Sequence, residues 1–168
     1  MVITRAALDK RKGARGVRRP AGDSHEQREV ERYLFKKLKE SLQEEEGQKV
    51  ELVPDYPLKV NGDACVNLDA YCDEPRIFCE IWAHLGALKG SQSDKVMSDA
   101  MKLIYVSQYL GDGRKILAFA DPEAAKPFKV GKKWVADCLR ANKIEVRLIP
   151  LSPTLRKKVR AAQQRQSR

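Results

Sequence analysis

A chain of 168 residues, 42% hydrophobic and 33% charged, has the size of one polar globular domain with its own core, and no run in it approaches the roughly 20 apolar residues of a membrane span. The net charge of +10 sits at the ends: Arg5, Lys10, Arg11, Lys12, Arg15, Arg18 and Arg19 against a single acid in residues 1–22, and Arg156, Lys157, Lys158, Arg160, Arg165 and Arg168 with no acid in residues 155–168. Basic ends on a nearly neutral body suit a polyanion, most simply nucleic acid with DNA favoured over RNA, and they equally suit a chain that is only kept soluble by them.

Residues 1–22 lack helical or strand periodicity and the apolar segment of a secretory signal; they read as a disordered basic arm. Asp23 or Ser24 can cap a helix running to about Gln43, with Val30, Leu34, Leu38 and Leu42 along one side, and Glu44–Glu46 with Gly47 end it. Val50–Val60 reads as an edge or irregular strand, because Pro54 and Pro57 interrupt its ladder. Asn61-Gly62-Asp63 then turns the chain into a hairpin.

That hairpin is the most informative stretch. CVNLDAYC (65–72) and IFCEIWAH (77–84) are strand-like and flank a four-residue turn, Asp73–Arg76. This register sets Cys72 opposite Ile77 and Asp69 opposite Glu80, with Cβ atoms about 5 Å apart, where like charges destabilise. Alternation places Asp69 and Glu80 on one face with Tyr71, Phe78, Trp82 and His84, and leaves Val66, Leu68, Ala70, Ile77, Cys79, Ile81 and Ala83 as a purely apolar core face. Two facing carboxylates among large rings suit a divalent cation with hard oxygen ligands. Trp82 also reads simply as core filling, and His84 as a polar edge residue.

Gly86 and Gly90 bracket a loop, and Ser91 or Ser93 starts a helix over 91–110. Beside its apolar face runs a polar stripe of Gln92, Lys95, Asp99 and Lys102. Lys115–Ala120 is a buried strand ending at Asp121-Pro122, Lys132–Asn142 a helix with Trp134, Val135, Cys138 and Leu139 inward, and Ile144–Leu151 the last strand. Ser152-Pro153 caps a basic C-terminal helix over 152–168, so residues 23–151 form a single domain. The order αβββαβαβα predicts an α/β three-layer sandwich with a mixed central sheet. No Cys-x-x-Cys pair is present, which favours reduced cysteines in a cytoplasmic protein over zinc or disulfides. Nucleotide-binding glycine loops and serine-hydrolase elbows are absent.

The αβββαβ order, with Asn67-Leu68-Asp69 on the second strand and Glu80-Ile81-Trp82 on the third, resembles the PD-(D/E)XK (restriction-endonuclease-like) nuclease superfamily. The stretch from Glu80 through Gly86, Lys89, Gln92, Lys95 and Asp99 to Lys102 is similar to a small group of its bacterial members. The resemblance implies metal-dependent phosphodiester hydrolysis, with Mg²⁺ or Mn²⁺ held by Asp69, Glu80 and the carbonyl of Ile81, and with Glu26, Glu29 or Glu31 as a further ligand. It also implies a lysine two residues after the glutamate, where this chain has Trp82. Some members carry that lysine on the following helix, which makes Lys95, with Gln92 a turn before it, the first candidate and Lys89 the second. Two alternatives stay open: a catalytically inactive nucleic-acid-binding protein of the same fold, and a structural protein whose basic ends bind an acidic partner.

Overall fold

The computed structural model describes residues 25–62 and 64–166, so the basic arm, the cap at Asp23 or Ser24 and part of the Asn61–Asp63 turn lie outside the described residues. Helix α1 (His25–Glu46) leads into strands β1 (Val53–Lys59), β2 (Cys65–Cys72) and β3 (Ile77–Trp82). Helix α2 (Ser91–Leu110), strand β4 (Arg114–Phe119), helices α3 (Pro122–Lys129) and α4 (Trp134–Ala141), strand β5 (Ile144–Leu148) and helix α5 (Pro153–Gln166) follow. The sheet order is β1-β2-β3-β4-β5. The first three strands form an antiparallel meander, and β4 and β5 join parallel to β3. The sheet is therefore mixed, as the element order predicts.

Helices cover both faces. Val30, Leu34, Leu38 and Leu42 of α1 and Val159 of α5 pack with Ile77, Cys79, Ile116 and Ala118. Val96, Ala100, Leu103 and Val106 of α2 pack with Phe78, Trp82, Leu117 and Phe119, and Phe128 of α3 and Leu139 of α4 extend that second core. Each helix buries a stripe and each sheet face an alternate set, which is why neither core forms without the sheet.

Four details depart from the sequence-based expectation. Helix α1 continues through Glu44–Glu46 although acids at a helix C-terminus oppose its dipole. Arg114 of β4 offsets this by pairing with Glu45 and Glu46 at 2.8 Å each, and Arg147 of β5 adds a 3.0 Å contact to Glu45. Helix α3 is an addition to the expected order: Asp121 caps it by accepting from the Glu123 N–H, and Pro122 starts it. Trp134 opens α4 at 72% exposed, not inward. The core face also changes over at Asp69, since Leu68 packs on the α2 side and Ala70 on the α1 side. Opposite this point Asp55 of β1 adopts a left-handed backbone (φ 48°), between the pairs Pro54–Ala70 and Tyr56–Leu68.

Among the described residues no helix is long and apolar enough to cross a membrane. All four cysteines are free thiols.

Candidate active site

The hairpin register is Cys72–Ile77, Tyr71–Phe78 and Ala70–Cys79. One step further along it stand Asp69 and Glu80, at the point where β2 parts from β3. The Ile81 N–H, which the ladder no longer reaches, donates to the Asp69 carboxylate at 2.7 Å. Asp69 thus ends the β2–β3 ladder with its own side chain, and its orientation is fixed by backbone.

Glu80 is 3% exposed and turns towards α2. Nζ of Lys102 lies 2.7 Å from its Oε1 and 3.0 Å from Oδ1 of Asp99 one turn earlier on α2. Lys102 also reaches the Asn67 carbonyl at 3.5 Å. The contact covers the buried Oε1 of Glu80 with the Lys102 ammonium. Burial, and after it the charge of Asp69, push the Glu80 carboxyl up to about 9. Asp69 is also raised by burial, opposed by the Ile81 N–H and by Lys102. Burial works against the charge of Lys102, but Glu80 and Asp99 outweigh it and raise its pKa. The cluster is therefore a buried acid pair with one resident cation.

On the other face Asp69 and Ile81 line a cleft of about 410 Å³ under α1, with Arg28, Glu31, Arg32 and Asp55 on its walls. Of the three helical glutamates, Glu31 is the one on this cleft. Glu29 binds Lys158 at 2.9 Å and Glu26 pairs with Arg165, both of α5. Arg156 of α5 pairs with the buried Asp121 at 2.6 Å. Three of the basic residues read from the sequence as a polyanion-binding end are thus held on acids of this same chain.

Asp69, Glu80 and Ile81 come together at the end of the β2–β3 ladder, but Asp69 opens to the α1 cleft and Glu80 to α2, not both to one face as alternation predicts. Lys95 sits with Nζ 5.6 Å from the centroid of the Trp82 ring, and Trp82 lies against His84 at 4.9 Å. The Lys89 N–H donates to the Gln92 side chain at 2.9 Å, which closes the first turn of α2. Among the described residues no ion pair or hydrogen bond joins Lys89, Gln92 or Lys95 to either carboxylate; Lys102 makes that contact.

Among the described residues no three His, Cys, Asp or Glu side chains are grouped so as to hold a metal ion. The site offers two carboxylates and backbone oxygen, a donor set suited to a hard ion that keeps several of its waters.

No protein-family model matches the sequence, and no curated protein matches it. Among solved structures the chain is similar to Pyrococcus furiosus SfsA in complex with Ca²⁺, at 21% identity and a TM-score of 0.40, over 75% of this chain. It spans 56% of that chain's length, and a likeness at this level leaves the activity to be argued from the residues themselves.

Proposed function

We propose that the protein is a divalent-metal-dependent nuclease in which Asp69, Glu80 and the Ile81 carbonyl hold Mg²⁺ or Mn²⁺ and Lys102 supplies the positive charge that β3 lacks at Trp82. The observation that carries this reading is the 2.7 Å approach of Lys102 to Glu80. It brings an ammonium from α2 to the acid pair at the point where β2 parts from β3. The donor chemistry fits: both carboxylates are hard oxygen ligands.

When bound, such an ion neutralises charge on a phosphodiester and lowers the pKa of an attacking water. Asp69 is held ready by the Ile81 N–H, so its carboxylate needs no reorientation to act as a ligand. The cleft under α1 gives a substrate phosphate a route to Asp69, with Arg28 and Arg32 on its wall. Lys102, kept at the acid pair by Asp99, would donate to negative charge developing on a phosphate that reaches Glu80.

The second reading, a catalytically inactive nucleic-acid binder, is favoured by the same pair seen the other way. With its carboxyl raised to about 9 and Lys102 beside it, Glu80 leaves no uncompensated charge near pH 7, so the acid pair can be stable without metal. The deciding experiment is calorimetric titration of Mn²⁺ into wild type, Asp69→Asn and Glu80→Gln, with cleavage of single-stranded DNA, duplex DNA and RNA measured in parallel. The nuclease reading expects metal binding and cleavage in wild type and neither in the variants. Metal affinity unchanged by both substitutions overturns the site, and metal-free binding without cleavage establishes the inactive binder.

A further inference from the structure

The turn between α3 and α4 carries a surface that the acid pair does not use. Trp134 is 72% exposed and Val130 66%. Indole is a large planar apolar group, and one left open beside several cations offers a stacking surface within a positive field. The flanking charge has one sign: Lys126, Lys129, Lys132 and Lys133 are all exposed within nine residues of chain. The nearest acid on α4, Asp137, is matched by Arg140 at 3.3 Å.

This turn is held firmly. A Cβ on Gly131 would lie 2.1 Å from the Pro127 carbonyl oxygen, so the backbone passes directly against α3. The Val130 N–H bonds the Lys126 carbonyl at 3.1 Å, and Arg140 donates to the Gly131 carbonyl at 3.4 Å. Behind the turn Phe128 stacks on Phe119 of β4 at 5.7 Å, and Ala136 and Leu139 are buried. The indole is therefore presented on a fixed support, which lowers the entropy cost of using it.

The geometry points to a single-stranded nucleic-acid contact here: Trp134 stacks on an unpaired base while Lys129, Lys132 and Lys133 meet the flanking phosphates. A planar ring interleaved with cations is the arrangement that binds single strands without reading sequence. An anionic membrane is the less fitting partner. Interfacial helices present a continuous apolar face, whereas here Ala124, Ala125, Phe128, Ala136 and Leu139 are buried and Val130 and Trp134 are the large apolar side chains left exposed. The inference shares with the proposed function the choice of nucleic acid as ligand, but it requires neither metal nor cleavage.

The test is titration of the full chain with a fluorescein-labelled oligothymidylate in EDTA, with affinity read by anisotropy and, in the wild type, tryptophan emission followed against the background of the buried Trp82 that Trp134→Phe retains. Quenching is expected, with Trp134→Ala weakening binding about tenfold and Trp134→Phe keeping most of it. Replacing Lys129, Lys132 and Lys133 by Gln should flatten the dependence of log K on log[salt] by about 0.7 for each phosphate no longer neutralised. Wild-type affinity and salt slope in both variants overturn the inference. So does tighter binding, with a blue shift, to phosphatidylserine-containing vesicles than to the oligonucleotide. Cleavage without Trp134 quenching overturns this surface alone, and quenching in a protein that never cleaves leaves the surface standing and overturns the catalytic reading alone.

Discussion

Lys102 and Glu80 meet at 2.7 Å across the interface of α2 and β3, two helical turns beyond Lys95, which lies over Trp82. The two contacts share one geometry. Helix α2 runs back along β3, so seven residues of helix, about 10.5 Å, lie beside the two strand residues from Trp82 to Glu80, about 6.6 Å. Long flexible lysine side chains span the difference. Because α2 starts beyond the end of β3, its first turns face Trp82 and its third and fourth face the acid.

Glu80 gives the protein a pH-dependent stability. Its carboxyl is raised to about 9 in the fold, so between its ordinary value and about 9 the folded state keeps a proton that the unfolded chain releases. Stability therefore falls as pH rises through this window, by up to about 1.4 kcal/mol per pH unit from this group. Glu80→Gln should remove that slope and be the more stable protein at pH 8. Urea denaturation of both proteins from pH 5 to 9 checks it, and parallel curves would show that Glu80 ionises freely.

The opposite sign applies at the far end of α1. Glu45 is brought down to about 2: burial disfavours its charge, but hydrogen bonds from Arg114, Arg147 and Ser41 outweigh it. Its contribution is complete above the ordinary glutamate value and is lost as pH falls towards 2. The side chain is 41% exposed, so solvent screening limits the effect to about 1 kcal/mol. Glu45→Gln should cost about that much at pH 7 and about a quarter of it at pH 2.5, read from thermal melts.

Asp121 couples α5 to the sheet. It is 1% exposed, caps α3 and binds Arg156 at 2.6 Å. Arg156→Ala strands a buried carboxylate and should cost about 3 kcal/mol in urea titrations. Asp121→Asn keeps a capping oxygen and should cost less than Arg156→Ala. A loss below about 0.5 kcal/mol for Arg156→Ala would mean that water replaces the guanidinium.

The hairpin is legible in the sequence because strand pairing is a rule of counting: four turn residues fix Cys72 on Ile77, and the pairs up to Ala70–Cys79 follow, where the ladder ends. Helix α3 is not, although Asp121-Pro122 repeats the cap-and-proline pattern that locates α5 at Ser152-Pro153. Its eight residues include Pro127, which masks the periodicity of Ala124, Ala125 and Phe128. Periodicity turns Trp134 inward because apolar spacing cannot tell the edge of a helix face from its centre. The acids at the end of α1 suggest too early a stop, because the arginines that neutralise them come from β4 and β5. The polar stripe on α2 contains Lys102 and Asp99, but sequence alone does not fix where the helix begins relative to the end of β3. That offset decides which lysine lies over the glutamate.

The two lysines of α2 separate these roles by substitution. If Lys102 is the group that meets the phosphate, Lys102→Met should lower single-turnover cleavage by two to three orders of magnitude, as for one lost electrostatic donor. Its Mn²⁺ affinity should stay the same or rise, because the residue removed is a competing cation and not a ligand. Lys95→Met removes a contact with an indole and should leave cleavage within a few fold, at a stability cost of about 1 kcal/mol. The combination matters more than either result. Equal loss in both variants would indicate a general effect of α2 charge on substrate binding, and it would appear in KM and in salt dependence rather than in the chemical step. Loss confined to Lys95→Met would return the catalytic lysine to the start of the helix and require α2 to shift along β3 when substrate binds. Loss confined to Lys102→Met, with metal binding intact, would assign the missing strand lysine to the helix.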